Sequence, residues 1–114
     1  MKRLSEWPHG ILEKKLLEKG RDIVAGIEPD AEVFLYGSRA RGEAMPDSDY
    51  DIFILVDRAL TRKLEDEISF ALYDLEYESD VILSVHIYEK SFFQSPLGKV
   101  MPLFNKVRTE GIRI

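Results

Sequence analysis

Between positions 11 and 27 apolar residues recur near helical spacing: Leu12, Leu16, Ile23 and Ile27, flanked by Leu17 and Val24. The pattern predicts a helix from Ile11 to about Ile27. Gly20 weakens it by about 1 kcal/mol and is a point where it can split. Pro29 and Asp30 end it. Ala31 to Tyr36 then reads as a strand, carried by Val33, Phe34, Leu35 and Tyr36, and Gly37-Ser38 breaks it. Ser38 is placed to cap a short helix running from Arg39 to about Glu43. After the loop at Met45-Pro46-Asp47-Ser48, Tyr50 to Val56 is almost wholly apolar, as expected of a central strand covered on both faces.

Thr61 to Glu78 carries the clearest helical period: Leu64, Ile68, Ala71, Leu72 and Leu75 fall at i, i+4, i+7, i+8 and i+11. Val81 to Tyr88 alternates. Val81, Leu83, Val85 and Ile87 share one face; Asp80, Ile82, Ser84, His86 and Tyr88 share the other. A last helix is expected from Pro102 to Thr109, with Gly111 just past its end. The first ten residues read as an irregular arm whose Trp7, the only tryptophan, is expected to pack on the core. The order helix, strand, helix, strand, helix, strand, helix predicts an α/β fold, a small mixed sheet with helices.

Composition narrows the functional classes. A chain of 114 residues suits one domain, 1–114, and 45 % hydrophobic residues suffice for a packed core. Sixteen basic and 21 acidic residues leave a net charge of −5, so direct nucleic-acid binding through a basic face is not expected. There is no cysteine, which excludes disulfides, thiolate metal sites and a cysteine nucleophile. His9 and His86 alone do not suggest a multi-histidine metal site. The longest apolar run, Ile52 to Val56, is far short of the roughly 20 residues a membrane span needs. The N-terminal stretch lacks the apolar centre of a signal peptide. No membrane association and a cytoplasmic location are therefore expected.

The chemistry concentrates between Leu35 and Val56. Gly37-Ser38 stands at a strand-to-helix junction, where glycine permits a sharp turn and close ligand approach. The following helix end offers free N–H groups and a positive dipole, which suits phosphate, and Ser38 adds a hydroxyl donor. Asp49-Tyr50-Asp51 opens the apolar strand. Positions i and i+2 share a face, so the carboxylates project together about 6–7 Å apart. Their mutual repulsion raises their pKa values and is relieved by a divalent cation; hard oxygen ligands beside substrate phosphates suit Mg²⁺. Taken singly, a helix cap and two solvated loop acids would explain these residues. The ten residues between Ser38 and Asp49 change that, because one short helix and a return loop let both groups converge on one triphosphate.

Gly37-Ser38, ten residues, then Asp49-x-Asp51 resembles the signature of the nucleotidyltransferase superfamily that includes DNA polymerase beta and the aminoglycoside nucleotidyltransferases. GSRARG at 37–42 followed by DSDYDI at 47–52 looks like its single-domain members. These are the minimal nucleotidyltransferases, often the antitoxin partners of HEPN-domain toxins. The motif spans about 20 residues, and the order of elements extends the likeness along most of the chain. The resemblance implies a polymerase beta-like fold. It also implies that Gly37 and Ser38 grip nucleotide phosphates and that Asp49 and Asp51 hold two Mg²⁺ ions. Arg39 and Arg41 match basic positions that contact phosphate, or else lie on a solvated helix face.

Catalytic members carry a third carboxylate on the next strand, completing the second metal site and assisting deprotonation of the attacking hydroxyl. Asp80 is the candidate, since a crossover helix would make the second and third strands parallel neighbours with their starting ends together. It departs from the family pattern by standing at the strand start behind Ser79, and it can be a strand-start acid only. His86, six residues on, is too far along a straight strand to share its metal. It reads as a hydrogen-bonded core histidine unless the register shifts to bring His86 or Ser84 to the site.

Two functions follow. One is an enzyme that transfers a nucleoside monophosphate, AMP from ATP, to a hydroxyl by a two-metal mechanism. The chain is too short for a second substrate-binding domain, so a partner or a second subunit is expected to bring the acceptor, and the resemblance implies a tyrosine of a HEPN toxin. The other is an inactive antitoxin that acts by docking. Finally, residues 92–114 hold more apolar surface than one short helix needs. Either that tail contributes to a homo-oligomer or toxin contact, or it wraps back and closes the sheet edge.

Overall fold

Helix α1 (Ile11–Ile27) forms over the predicted span and runs unbroken through Gly20. Strand β2 (Glu32–Tyr36), the short helix α2 (Gly37–Arg41) and strand β3 (Tyr50–Val56) follow. Helix α3 (Arg62–Ser79) starts where the Thr61 side chain accepts a hydrogen bond from the Leu64 amide at 3.1 Å. Strand β4 (Leu83–Glu89) and helix α5 (Pro102–Glu110) complete the predicted order, with an unforeseen one-turn helix α4 (Lys90–Phe93) between them. Two short strands were not foreseen, β1 (Lys2–Arg3) and β5 (Ile112–Arg113). The computed structural model describes residues 1–114.

The five strands form one mixed sheet in the order β1-β5-β2-β3-β4. β2 and β3 are antiparallel, whereas β3 and β4 run parallel across the α3 crossover, as the sequence order implied. One sheet face carries Val33, Leu35, Ile52, Ile54, Val56 and Leu83 beneath Leu17 and Val24 of α1 and Leu64, Ile68, Leu72 and Leu75 of α3. Trp7 joins this core at 1 % exposure.

The other face is built by the tail. Phe34, Tyr36, Phe53 and Leu55 are covered by Phe104 and Val107, with Tyr88, Phe92 and Phe93 around them. Phe53 sits at the centre, its ring 5.6 Å from Phe104 and 5.7 Å from Phe93. Ile112 and Arg113 then pair with β2 and accept β1 as a further neighbour. The apolar excess of residues 92–114 is thus spent on an entire sheet face and one edge, because a two-sided sheet needs a second cover. Only Leu97 and Val100 of that set stay exposed. No helix is long and apolar enough to cross a membrane.

The third predicted strand is shorter at its start. α3 continues to Ser79, and Asp80 caps it in the left-handed region at φ 53. The Val81 amide returns to the Glu76 carbonyl at 3.2 Å, and the Leu83 amide donates to the Glu76 carboxylate at 2.9 Å. Residues 80–82 are used in this turn, so β4 opens at Leu83.

Candidate active site

Gly37 is buried at the turn from β2 into α2 and takes φ +78, a conformation open to glycine. A Cβ built there would fall inside the Asp51 carboxylate. The glycine therefore serves two ends: it turns the chain, and it brings the main chain against Asp51. Asp51 is half-buried on β3, paired across the sheet with Tyr36. Asp49 stands two residues earlier, exposed just outside the strand, and its charge acts on Asp51.

Burial first, then Asp49, pushes the Asp51 carboxyl up; His86, Lys106 and Arg41 oppose this. All eight ion pairs of the molecule lie elsewhere, leaving both carboxylates without a cation. Tyr36 beside Asp51 is pushed up to about 12, by burial first and then by Asp51, Tyr88 and Glu110.

Ser38 is the second residue of α2, half-buried, with its carbonyl accepting from the Glu43 amide at 2.9 Å. It does not cap the helix. α2 begins two residues earlier than expected, with Tyr36 at the cap, because the positive φ of Gly37 makes the turn immediately. The helix closes at Gly42, φ 76.

The two arginines are engaged within the chain. Arg39 donates to the carbonyl of Ser48, at 2.8 Å from Nη2, and to that of Pro46 at 3.2 Å. Its guanidinium lies 4.3 Å from the Tyr50 ring centroid. Arg39 thereby braces the loop that delivers Asp49. Arg41 pairs with Glu43 at 2.9 Å and with Glu110 at 2.6 Å, tying α2 to α5.

Asp80 stands outside β4, four positions before Ser84, the partner of Asp51. It is an exposed helix cap beside Asp47, Ser48 and Ile82, not a residue of β4. The partner of Asp51 on β4 is Ser84, and His86 pairs with Phe53. Four residues, up to about 13 Å of extended chain, separate Asp80 from Ser84. β3 and β4 do start together, Tyr50 opposite Leu83, but Asp80 is not at that start, because residues 80–82 are spent on the helix cap. The three-residue offset brings Ser84 and His86 to the face of Asp51 instead. Ser84 Oγ and His86 Nε2 are 3.4 Å apart, and the His86 ring lies 6.3 Å from that of Tyr36. No group of three acidic or histidine side chains is arranged to hold a metal ion. Lys106 and Glu110, brought over the site by α5, had no signal in the local sequence.

A glycine-bearing strand-to-helix turn is thus set against Asp51 on a neighbouring antiparallel strand, with Asp49 just before that strand. The sequence matches the family described as "Nucleotidyltransferase domain" over residues 17–109. The chain belongs to that family. Among solved structures, a toxin-antitoxin complex with AMP-PNP is similar at TM-score 0.57 and 21 % identity, over 84 % of this chain and 69 % of that one. A second, a mutant of the toxin-antitoxin MntA-HpeT with two aspartates changed to glutamate, is similar at TM-score 0.57 and 18 % identity, with the same coverage. At these identities the likeness is one of fold. No curated protein matches the sequence significantly.

Proposed function

We propose that this nucleotidyltransferase domain binds a nucleoside triphosphate, ATP in the first instance, and transfers its nucleoside monophosphate to a hydroxyl with release of pyrophosphate. The observation that carries this reading is the seating of Gly37 against the Asp51 carboxylate, with Asp49 two residues away. The turn leaves the α2 amides and the Ser38 hydroxyl as donors for phosphate oxygens. Asp49 and Asp51 are unpaired and mutually repelling, and so fit a divalent cation, Mg²⁺ first. When bound, the cation neutralises phosphate charge at the reacting phosphorus. Arg39 holds the loop that sets Asp49, while Arg41 keeps a positive charge near Asp51.

The acceptor in this reading is a tyrosine of a toxin partner in the cytoplasm, of the HEPN class. It is supported by the toxin-antitoxin assemblies among the structural neighbours, one of them with AMP-PNP. A second reading, an antitoxin that neutralises by docking with little catalysis, is favoured by one observation. Ser84 and His86, not an acid, stand beside Asp51 on β4. In the first reading Asp49 and Asp51 are the residues of this chain that would hold the ions.

The test is to incubate the domain with α-labelled ATP, Mg²⁺ and the protein encoded beside it. Label on that protein, lost in Asp49→Ala and Asp51→Ala, is the expected result. Tight complex formation without label at any metal concentration selects the docking reading.

A further inference from the structure

Helix α3 buries Leu64, Ile68, Leu72 and Leu75. Its outer side carries Phe70, Tyr73 and Tyr77, exposed at 73, 64 and 84 %. These are positions i, i+3 and i+7, one continuous stripe, and the exposed Ile82 lies just past the helix end. Isolated exposed aromatics are ordinary; three in a row on one helix are the mark of a contact surface.

Carboxylates bracket the rings. Asp66, Glu67 and Asp74 lie three or four positions from Phe70; Glu76 follows Tyr73 by three; Asp74 and Asp80 flank Tyr77 by three. Residues 62–79 hold six acidic and two basic side chains, a net charge of −4 within a chain of −5. The one ion pair there, Arg62 to Asp66 at 3.9 Å, is solvent-exposed and weak.

We infer that the outer face of α3 docks a partner protein through a basic surface, whose arginine or lysine heads lie over the aromatic rings between the carboxylates. The charge selects this occupant. A second copy packed face to face would set −4 against −4, and nucleic acid or an anionic membrane carries the same sign. Tyr77 and Ile82 also line a surface cleft with Arg39, Asp47, Ser48 and Asp80. The face therefore runs into the loop that leads to Asp49, and a partner seated on it reaches the rim of the candidate site. The inference rests on the partner in the proposed function. Binding is read without nucleotide, so its failure is distinguishable from failure of transfer.

The probe is a synthetic amphipathic helix of about 20 residues with leucine on one face and arginine on the other, beside the same peptide with glutamate for arginine. Amide resonances of the full chain are followed during titration. The arginine peptide should shift residues 66–82, and the glutamate peptide should not. The double variant Phe70→Ser/Tyr77→Ser leaves every charge in place and should weaken binding at least about tenfold. Val100→Ser, at an exposed position of the tail on the other side of the sheet, should leave it unchanged. Absence of binding, shifts centred on another face, or full affinity in the double variant would overturn the inference. So would a wild-type dimer in light scattering that the double variant dissociates.

Discussion

Replacing Gly37 by alanine probes both ends that the glycine serves. At φ +78 an L-residue costs about 1–2 kcal/mol in backbone strain. The added methyl also overlaps the Asp51 carboxylate, and relieving such overpacking costs a further 1–3 kcal/mol or so. Together the substitution should destabilise by about 2–5 kcal/mol. The two contributions separate in a double-mutant cycle. Asp51→Ala removes the carboxylate and leaves only the β-carbon, 3.3 Å from the new methyl. In that background Gly37→Ala should cost only the backbone strain, giving a coupling of about 1–3 kcal/mol. Urea unfolding followed by fluorescence suits the measurement, because Trp7 is the only tryptophan and is buried. Additive single effects, or a loss below about 0.5 kcal/mol in Gly37→Ala, would refute the reasoning that Gly37 is shaped around Asp51.

Asp51→Asn should stabilise the domain at neutral pH by up to about 1 kcal/mol. The folded carboxyl is held above its ordinary 3.8, so ionising it opposes folding above that pH; the gain should vanish below it, as read by urea titrations across pH. Burial pushes the Tyr36 hydroxyl up to about 12 from 10.0, so wild-type stability should fall as pH rises between those values, by up to about 3 kcal/mol. Tyr36→Phe should remove that alkaline loss; an unchanged profile would contradict the burial argument. Phe104→Ala empties the middle of the second sheet face and should cost about 3–5 kcal/mol in the same unfolding assay. A cost under 1 kcal/mol or so would deny the tail its role as cover.

The long elements were legible because one periodicity dominates each: α1, β3 and α3 form within a residue or two of the expected spans. The pairing of Gly37 with Asp49-x-Asp51 was legible because a short local return brings them together. What failed was register. Alternation shows which residues share a face, and it was right about that for residues 83–88, the part that forms strand. It cannot show that Glu76 and Asp80 consume three residues in capping α3, which moves Ser84 to the position beside Asp51. The role of the tail was hidden for a related reason. Phe92, Phe93 and Phe104 declare apolar surface, but not that the sheet presents a second face to receive it. Arg39 and Arg41 could not be read fully from local sequence either: Arg39 is held by backbone carbonyls of the 46–48 loop, and Arg41 by its near neighbour Glu43 and by a carboxylate 69 positions away.

The central claim is that Gly37, Asp49 and Asp51 form one cation-dependent nucleotide site. Calorimetric titration of the purified domain with AMP-PNP, with and without Mg²⁺, tests it most directly. Binding is expected with Mg²⁺, with much weaker binding when the cation is chelated and loss of the Mg²⁺-dependent part in Asp49→Asn and Asp51→Asn. Equal affinity with and without Mg²⁺, or undiminished Mg²⁺-dependent binding in Asp51→Asn, would contradict it.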